Sequence, residues 1–218
     1  MVLLAGFRKR RRVARPVAPG AGPSYKQPMY VVTGGAGFIG SNIVHGLEAA
    51  GLGPVAVVDH IDSDEKARNI AKRRDVETVA PEDLTRFLGA NTGRIRGVIH
   101  MGAISATTET RLVRIIKNNI ILSRRLWDWC AAQGVPYIYA SSAATYGDGS
   151  RGFDDDGAID ALKALQPLNL YGWSKNQFDI WVAEQVAAGR PKPPGWAGLK
   201  FFNVFGPNEY HKGRMQSV

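Results

Sequence analysis

The 218-residue sequence has one cysteine, Cys130, so it can form no intrachain disulfide and no cysteine-based metal cluster; no metal site is expected. That usage suits a reducing compartment, and a cytoplasmic location is the expectation. No apolar run approaches the roughly 20 residues that cross a bilayer, so no membrane partner is expected. No internal repeat is present, which removes solenoid architectures. Acidic residues are missing from positions 1–28, which hold seven of the 28 basic side chains (Arg8, Lys9, Arg10, Arg11, Arg12, Arg15 and Lys26). Setting that stretch aside brings the formal charge from +9 to an ordinary +2, so no nucleic-acid partner is expected for the remainder. The length suits one α/β domain but is short for a dinucleotide domain plus a complete substrate domain.

Residues 1–28 also carry Pro16, Pro19, Pro23 and Pro28 with little periodicity, and read as a disordered basic extension. Four readings stay open for it. It is a solvated extension or the product of a start assigned too far upstream, since Met29 directly precedes the first strand. It is an Arg-rich targeting peptide, or a polyanion-binding arm. A twin-arginine signal fits least, because no apolar segment follows Arg12.

From Met29 onward short apolar runs alternate with amphipathic stretches, the pattern of a Rossmann-type doubly wound parallel sheet. Strands are predicted at Met29–Thr33, Val55–Asp59, Val76–Ala80, Gly97–His100, Pro136–Ala140 and Gly198–Asn203. Helices are predicted at Phe38–Ala50, after Pro81-Glu82-Asp83, at Val113–Gln133 and at Leu170–Ala188. The domain is expected to occupy residues 29–218, with only the start of a smaller substrate domain.

A glycine-rich turn, Thr33-Gly34-Gly35-Ala36-Gly37-Phe38-Ile39-Gly40, joins the first strand to the first helix. Glycines at these spacings allow a tight turn, close approach of backbone to a pyrophosphate and close helix–strand packing. Asp59 ends the next strand, 19 residues after Gly40, where a carboxylate accepts hydrogen bonds from a ribose. That acid favours NAD, whereas Lys66 could offset it and reach the phosphate of NADP, so the residues leave the choice open.

Tyr171 and Lys175 lie four apart, on one face of a helix. The same stripe continues through the apolar Phe178 and Val182, and a lysine on a buried stripe is costly unless its charge is needed. An ammonium there is expected to lower the tyrosine pKa from about 10 toward neutrality. Tyr171 then exchanges a proton with a carbinol while hydride moves. Ser142, just past the fifth strand, can bond the same substrate oxygen.

These motifs resemble the extended short-chain dehydrogenase/reductase superfamily. Within it, four further blocks resemble the ADP-glyceromanno-heptose 6-epimerase family. They are His100-Met101-Gly102-Ala103-Ile104-Ser105-Ala106-Thr107-Thr108-Glu109, Tyr139–Gly147, Leu168–Lys175, and Phe202-Asn203-Val204-Phe205-Gly206-Pro207 running into His211-Lys212-Gly213-Arg214-Met215. The resemblance implies inversion at C6 of an ADP-linked manno-heptose by transient oxidation and reduction, with NADP as cofactor, NAD the alternative. It implies a nucleotide-sugar substrate, a homo-oligomer and a place in lipopolysaccharide heptose biosynthesis.

The residue roles carried over are these. Tyr171 and Lys212 act as proton donors on opposite faces, with Lys175 and Ser142 supporting. Asn203, Arg214 and Ser142 contact substrate. Gly34, Gly37, Phe38, Ile39, Gly40, Asp59, His60, Lys66, Met101, Gly102, Ala103, Ile104, Ser105, Asn118, Lys175, Val204 and Lys212 contact cofactor.

Three positions depart from the family: His60 stands where Asn is common, Pro81 falls near a place where some members use a lysine, and Gln216 replaces a small residue. The family also continues well beyond position 218, so the chain is expected to lack most of a substrate domain. Two other readings remain. One is a 4-epimerase or 4,6-dehydratase on another nucleotide sugar, the dehydratase branch disfavoured by Ala143-Ala144 where acids usually stand. The other is a cofactor-binding module without catalysis.

Overall fold

The computed structural model describes residues 27–210. Six strands form one parallel sheet: β1 (Met29–Thr33), β2 (Val55–Val58), β3 (Val76–Val79), β4 (Ile95–His100), β5 (Tyr137–Ser142) and β6 (Trp196–Phe201). Their order is β3-β2-β1-β4-β5-β6. The order reverses between β1 and β4, and the crevice beyond the carboxyl ends at such a reversal is where open α/β sheets bind ligands. The chain therefore builds the doubly wound parallel sheet that its alternating pattern implies.

Alternation along each strand divides the core. Met29, Val31, Ala56, Val58, Val98, Tyr137 and Tyr139 pack on one face. They meet Leu84 and Leu88 of α3 (Leu84–Ala90), Leu126, Trp127 and Cys130 of α5 (Leu122–Gln133), and Phe178 and Val182 of α7 (Leu170–Ala187). Val32, Val55 and Val57 face the other way, onto Val44 of α1 (Phe38–Ala49) and Ile70 of α2 (Asp64–Ile70). Phe178 and Val182, the apolar continuation of the Tyr171/Lys175 stripe, are each 1% exposed. Burial holds Cys130 as a thiol, its pKa pushed up to about 12.

The structure departs from the sequence expectations in four places. The helix expected at Val113–Gln133 is interrupted: α4 (Leu112–Ile115) leads into a π-helical segment, Ile116–Ile121, before α5. α2 was not expected, because its sequence DEKARNI buries Ile70 alone and carries no apolar stripe; Ser63 starts it by accepting from the Lys66 N–H. α6 (Ile159–Ala164) is a single short turn that buries Leu162. β6 begins at Trp196 and ends at Phe201, so Asn203 lies beyond the sheet. No described helix is long and apolar enough to cross a membrane.

A buried polar chain ties the ends of β1 and β4 to the π-helical segment. The Gly102 N–H donates to Thr33 Oγ1 (3.1 Å), and Thr33 Oγ1 lies 2.6 Å from His100 Nδ1. His100 Nε2 meets Ser123 Oγ at 2.9 Å, and Ser123 donates onward to the Asn119 carbonyl at 2.6 Å. Since Ser123 spends its proton on Asn119, it accepts from His100, and the imidazole carries its proton on Nε2. His100 is 1% exposed. Burial, then the nearby Lys175 charge, lowers its pKa to about 3.

The glycine turn needs its glycines for two different reasons. A Cβ on Gly40 would lie 2.1 Å from the Gly34 carbonyl oxygen, inside any tolerable contact, and Gly34 has φ of +66° with its own Cβ site 2.8 Å from Gly102 Cα. Gly40→Ala is expected to force α1 off β1 and destabilise the fold by ~3 kcal/mol or more, read as a lowered urea midpoint. His100 generates a pH dependence. Its native pKa lies below the ordinary value, so an unfolded chain binds the extra proton first. The stability held by the neutral ring is complete above about pH 6.5 and is lost as pH falls toward 3, at up to ~1.4 kcal/mol per pH unit. Urea titrations from pH 7 to 4 should show wild type losing its advantage over His100→Gln; a constant difference would refute this origin.

Candidate active site

The site is assembled from segments that leave the carboxyl ends of β1, β2, β4, β5 and β6. After β1, the Gly34 N–H donates to the Val58 carbonyl (2.8 Å) and the Gly37 N–H to the Gly34 carbonyl (3.0 Å), which closes the turn. Gly37 starts α1 without a side-chain cap. Phe38 is buried and Ile39 half-buried in the first helical turn. A turn whose one side chain, the Ala36 methyl, is buried, leading to an uncapped helix start, fits a dinucleotide pyrophosphate, which needs close backbone approach and the positive end of the helix.

After β2, Asp59 accepts from the Ala36 N–H through Oδ2 (3.1 Å) and from Lys66 Nζ through Oδ1 (3.1 Å). Lys66 Nζ also reaches Asp62 (3.2 Å) and the His60 carbonyl (2.8 Å). Burial opposes the Lys66 charge, but the bonds to Asp59 and Asp62 outweigh it and raise its pKa. His60 is exposed and pairs with Glu82 at 3.3 Å. The structure thus brings Asp59, His60 and Lys66 to one rim of the glycine turn.

After β4, the Met101 N–H donates to the Thr33 carbonyl (3.1 Å). Ile104 exchanges both backbone bonds with the Asn119 amide, at 2.9 and 3.0 Å. Met101, Gly102, Ala103 and Ile104 are half-buried and Ser105 exposed. Asn118 is half-buried, its amide donating back to the Arg114 carbonyl at 2.8 Å.

After β5, Ser142 starts a 3-10 turn, Ala143–Tyr146, and accepts from the Ala144 N–H at 3.1 Å. Asn169 caps α7 by accepting from the Gly172 N–H (2.8 Å), which sets Tyr171 in the first helical turn. Lys175 is 4% exposed. Its Nζ donates to the Ala140 carbonyl at 2.7 Å and lies 5.9 Å from the centre of the Tyr171 ring. Tyr171 and Lys175 therefore share one face of α7, and Ser142, at the end of β5, lies within hydrogen-bonding reach of Tyr171.

Their electrostatics differ from expectation. Burial raises the Tyr171 pKa above its ordinary value, and only a hydrogen bond with Ser142 opposes the rise. Lys175 does not depress it; its ammonium bonds the Ala140 carbonyl, 5.9 Å from the ring centre. Burial lowers the Lys175 pKa to about 8, against the pull of Asp179.

Asp179 went unmarked in the sequence. It is 7% exposed and accepts from Tyr139 (3.0 Å), Ser141 (2.6 Å) and Lys200 (3.0 Å), fastening α7 to β5 and β6. The signal was there in Tyr139 and Ser141, polar groups two apart on one face of a buried strand. Asn119 and His100 were likewise missed as network members.

After β6, Asn203 is exposed and Val204 half-buried. The loop returns to α1, where Asn42 donates to the Pro207 carbonyl (2.8 Å) and Asn208 to Ser41 Oγ (3.0 Å). Lys212 and Arg214, within the His211–Met215 block, lie outside the described residues, as do the expectations for residues 1–26.

Comparison with known proteins agrees with this geometry. The chain is 46% identical over 192 residues to an ADP-L-glycero-D-manno-heptose-6-epimerase of Fusobacterium nucleatum, covering 87% of this chain and 57% of that protein. A protein of the same name from Nitratidesulfovibrio vulgaris is 48% identical over 192 residues, with the same coverage. The chain thus spans little more than half the length of these relatives. Among solved structures, the Helicobacter pylori ADP-L-glycero-D-manno-heptose-6-epimerase superposes with a TM-score of 0.72 at 26% identity, covering 88% of this chain and 60% of that one. Thermus thermophilus UDP-glucose 4-epimerase, solved with NAD, gives 0.63 at 29% identity, over 82% and 56%. Residues 30–218 match the sequence model of the NAD dependent epimerase/dehydratase family, and with its glycine turn, its Tyr171/Lys175 pair and its six-stranded parallel sheet the chain belongs to that family.

Proposed function

We propose that the protein interconverts the D-glycero and L-glycero forms of ADP-manno-heptose by transient oxidation at C6 and reduction from the opposite face. The observation that carries this reading is Lys175, a lysine buried to 4% exposure on the stripe that holds Tyr171, a placement too costly for a merely structural residue. The names of the relatives above point to the heptose substrate.

The residues fit a nicotinamide dinucleotide. Gly34, Gly37, Phe38, Ile39 and Gly40 would hold its pyrophosphate, and Asp59, His60 and Lys66 its adenosine end. Met101–Ser105, Asn118, Lys175, Val204 and Lys212 would hold the remainder. When bound, the cofactor supplies reversible hydride transfer. Tyr171, protonated at neutral pH because burial raises its pKa, donates to the C6 oxygen when the ketone is reduced and recovers the proton when the alcohol is oxidised. Ser142 bonds the same oxygen and is the group that eases loss of the Tyr171 proton, while Lys175, anchored on the Ala140 carbonyl, would hold the nicotinamide ribose. Lys212 serves the opposite face, which inversion requires, while Asn203 and Arg214 orient the sugar.

The substrate reading is tested on protein expressed from the whole reading frame, incubated with ADP-D-glycero-manno-heptose and resolved into isomers by chromatography. Exchange is expected, and Tyr171→Phe should slow it ~10²–10⁴-fold while cofactor binding persists. A cofactor-loaded wild type that exchanges nothing would remove the proposal.

NADP is the proposed cofactor, supported by Lys66, whose charge is reinforced by Asp59 and Asp62 beside the adenosine end. Fluorescence titration should give tighter binding of NADPH than NADH, with the difference diminished in Lys66→Met. Equal affinities in wild type would return the choice to NAD.

A further inference from the structure

We infer that Asn119 is a positioning residue that fastens the Met101–Ser105 loop to the first turn of α7, holding the cofactor and Tyr171 in one frame. The cofactor half of this inference rests on the function proposed above; the coupling of loop to helix does not.

Asn119 is 1% exposed. Its Oδ1 accepts from the Ile104 N–H (2.9 Å), while Nδ2 donates to the Ile104 carbonyl (3.0 Å) and to Ser174 Oγ (3.0 Å). One side-chain amide thus pairs with a loop residue as a neighbouring strand would, and spends its second N–H on α7. Ser174 is 0% exposed, and its hydroxyl donates to the Tyr171 carbonyl at 2.7 Å. With that proton committed, Ser174 can only accept from Asn119. Rotating the amide by half a turn would set Oδ1 against Ser174 Oγ and the amide nitrogen against the Ile104 N–H, losing all three bonds. The orientation is therefore unique.

The π-helical segment Ile116–Ile121 sets this aim. Wider turns of this kind are rare and recur at functional sites. Here the segment turns Asn119 inward between loop and helix and leaves Asn118 on the half-buried side, bonded to Arg114. The Asn119 carbonyl also receives the Ser123 hydroxyl that ends the chain from His100, so the same residue closes both networks. Asn118 is the residue that family resemblance assigns to the cofactor; its neighbour determines where the loop sits.

The test combines cofactor titration with amide hydrogen exchange. Asn119→Asp is nearly isosteric, keeps the acceptor for Ile104 and loses both donations; it should weaken NADPH binding about tenfold or more. Ser174→Ala removes the Asn119 link to α7, together with the local bond to the Tyr171 carbonyl, keeps both Ile104 bonds, and should weaken binding by a smaller factor. The double variant should be no worse than Asn119→Asp, because both changes break one connection. Exchange at the Ile104 amide should quicken in Ser174→Ala, although Ser174 does not bond Ile104, while amides of β1 and β2 keep their protection.

Wild-type affinity in Asn119→Asp, multiplicative losses in the double variant, or an unchanged Ile104 exchange rate in Ser174→Ala would each overturn the inference. The exchange measurement decides the coupling even where Asn119→Asp fails to fold. A wild type that binds neither NADP(H) nor NAD(H) would defeat the proposed function and with it the cofactor half, and leave the loop–helix coupling to be judged by exchange.

Discussion

The hydrogen bond between Thr33 and His100 joins the carboxyl ends of β1 and β4, where the strand order reverses and the two following segments diverge. A crevice at that point is unavoidable in this topology, and its walls would otherwise be free to open. Thr33 and His100 hold the two strand ends in register, and through Gly102, Ser123 and Asn119 the same bonds reach the loop after β4 and the π-helical segment. Because the chain is buried, each donor must meet an acceptor, and the neutral ring with its proton on Nε2 meets that condition. The glycine turn, the loop and α7 are all placed relative to this one connection.

Beneath α7 lies a second constraint, electrostatic rather than geometric. Asp179 is committed to Lys200, Tyr139 and Ser141, so Lys175 has the Ala140 carbonyl for its bonded partner and feels Asp179 at longer range. A buried ammonium in that position therefore lies closer to its neutral form than an exposed lysine does. Lys200, with a carboxylate at 3.0 Å, a hydroxyl at 2.9 Å and the Tyr146 ring beneath it, is by contrast fixed in place.

What the sequence disclosed follows from periodicity and from special residues. β1 was legible to the residue because MYVVT is an apolar run ending at a glycine turn, and α7 because its buried stripe carries Tyr171 and Lys175 through to Phe178 and Val182. α2 and α6 were hidden, since short helices that bury one side chain each have no stripe to read. The π-helical segment was hidden too: a run such as IKNNII has the composition of an ordinary helix, and the Asn119 bonds that accompany its widening reach segments distant in the sequence. Asp179 and Lys200 carried no sequence signal, because their partners come from other elements of the fold. The sign of the Tyr171 shift differs from the expectation for a related reason: spacing puts Lys175 on the same face but does not say how deeply the phenol is buried, and burial is what raises its pKa.

Cys130 lies against Trp127 and Tyr137 in the core, with its thiol pKa raised to about 12. Burial thus disfavours the thiolate, the form that reacts with alkylating agents and oxidants. Cys130 is the one cysteine of the sequence and is fully buried, so thiol reagents have little access to it in the folded chain. A dye or spin label attached through one cysteine introduced at the surface would report from that place alone, and the first reaction of Cys130 itself would mark the moment at which this face of the sheet comes apart.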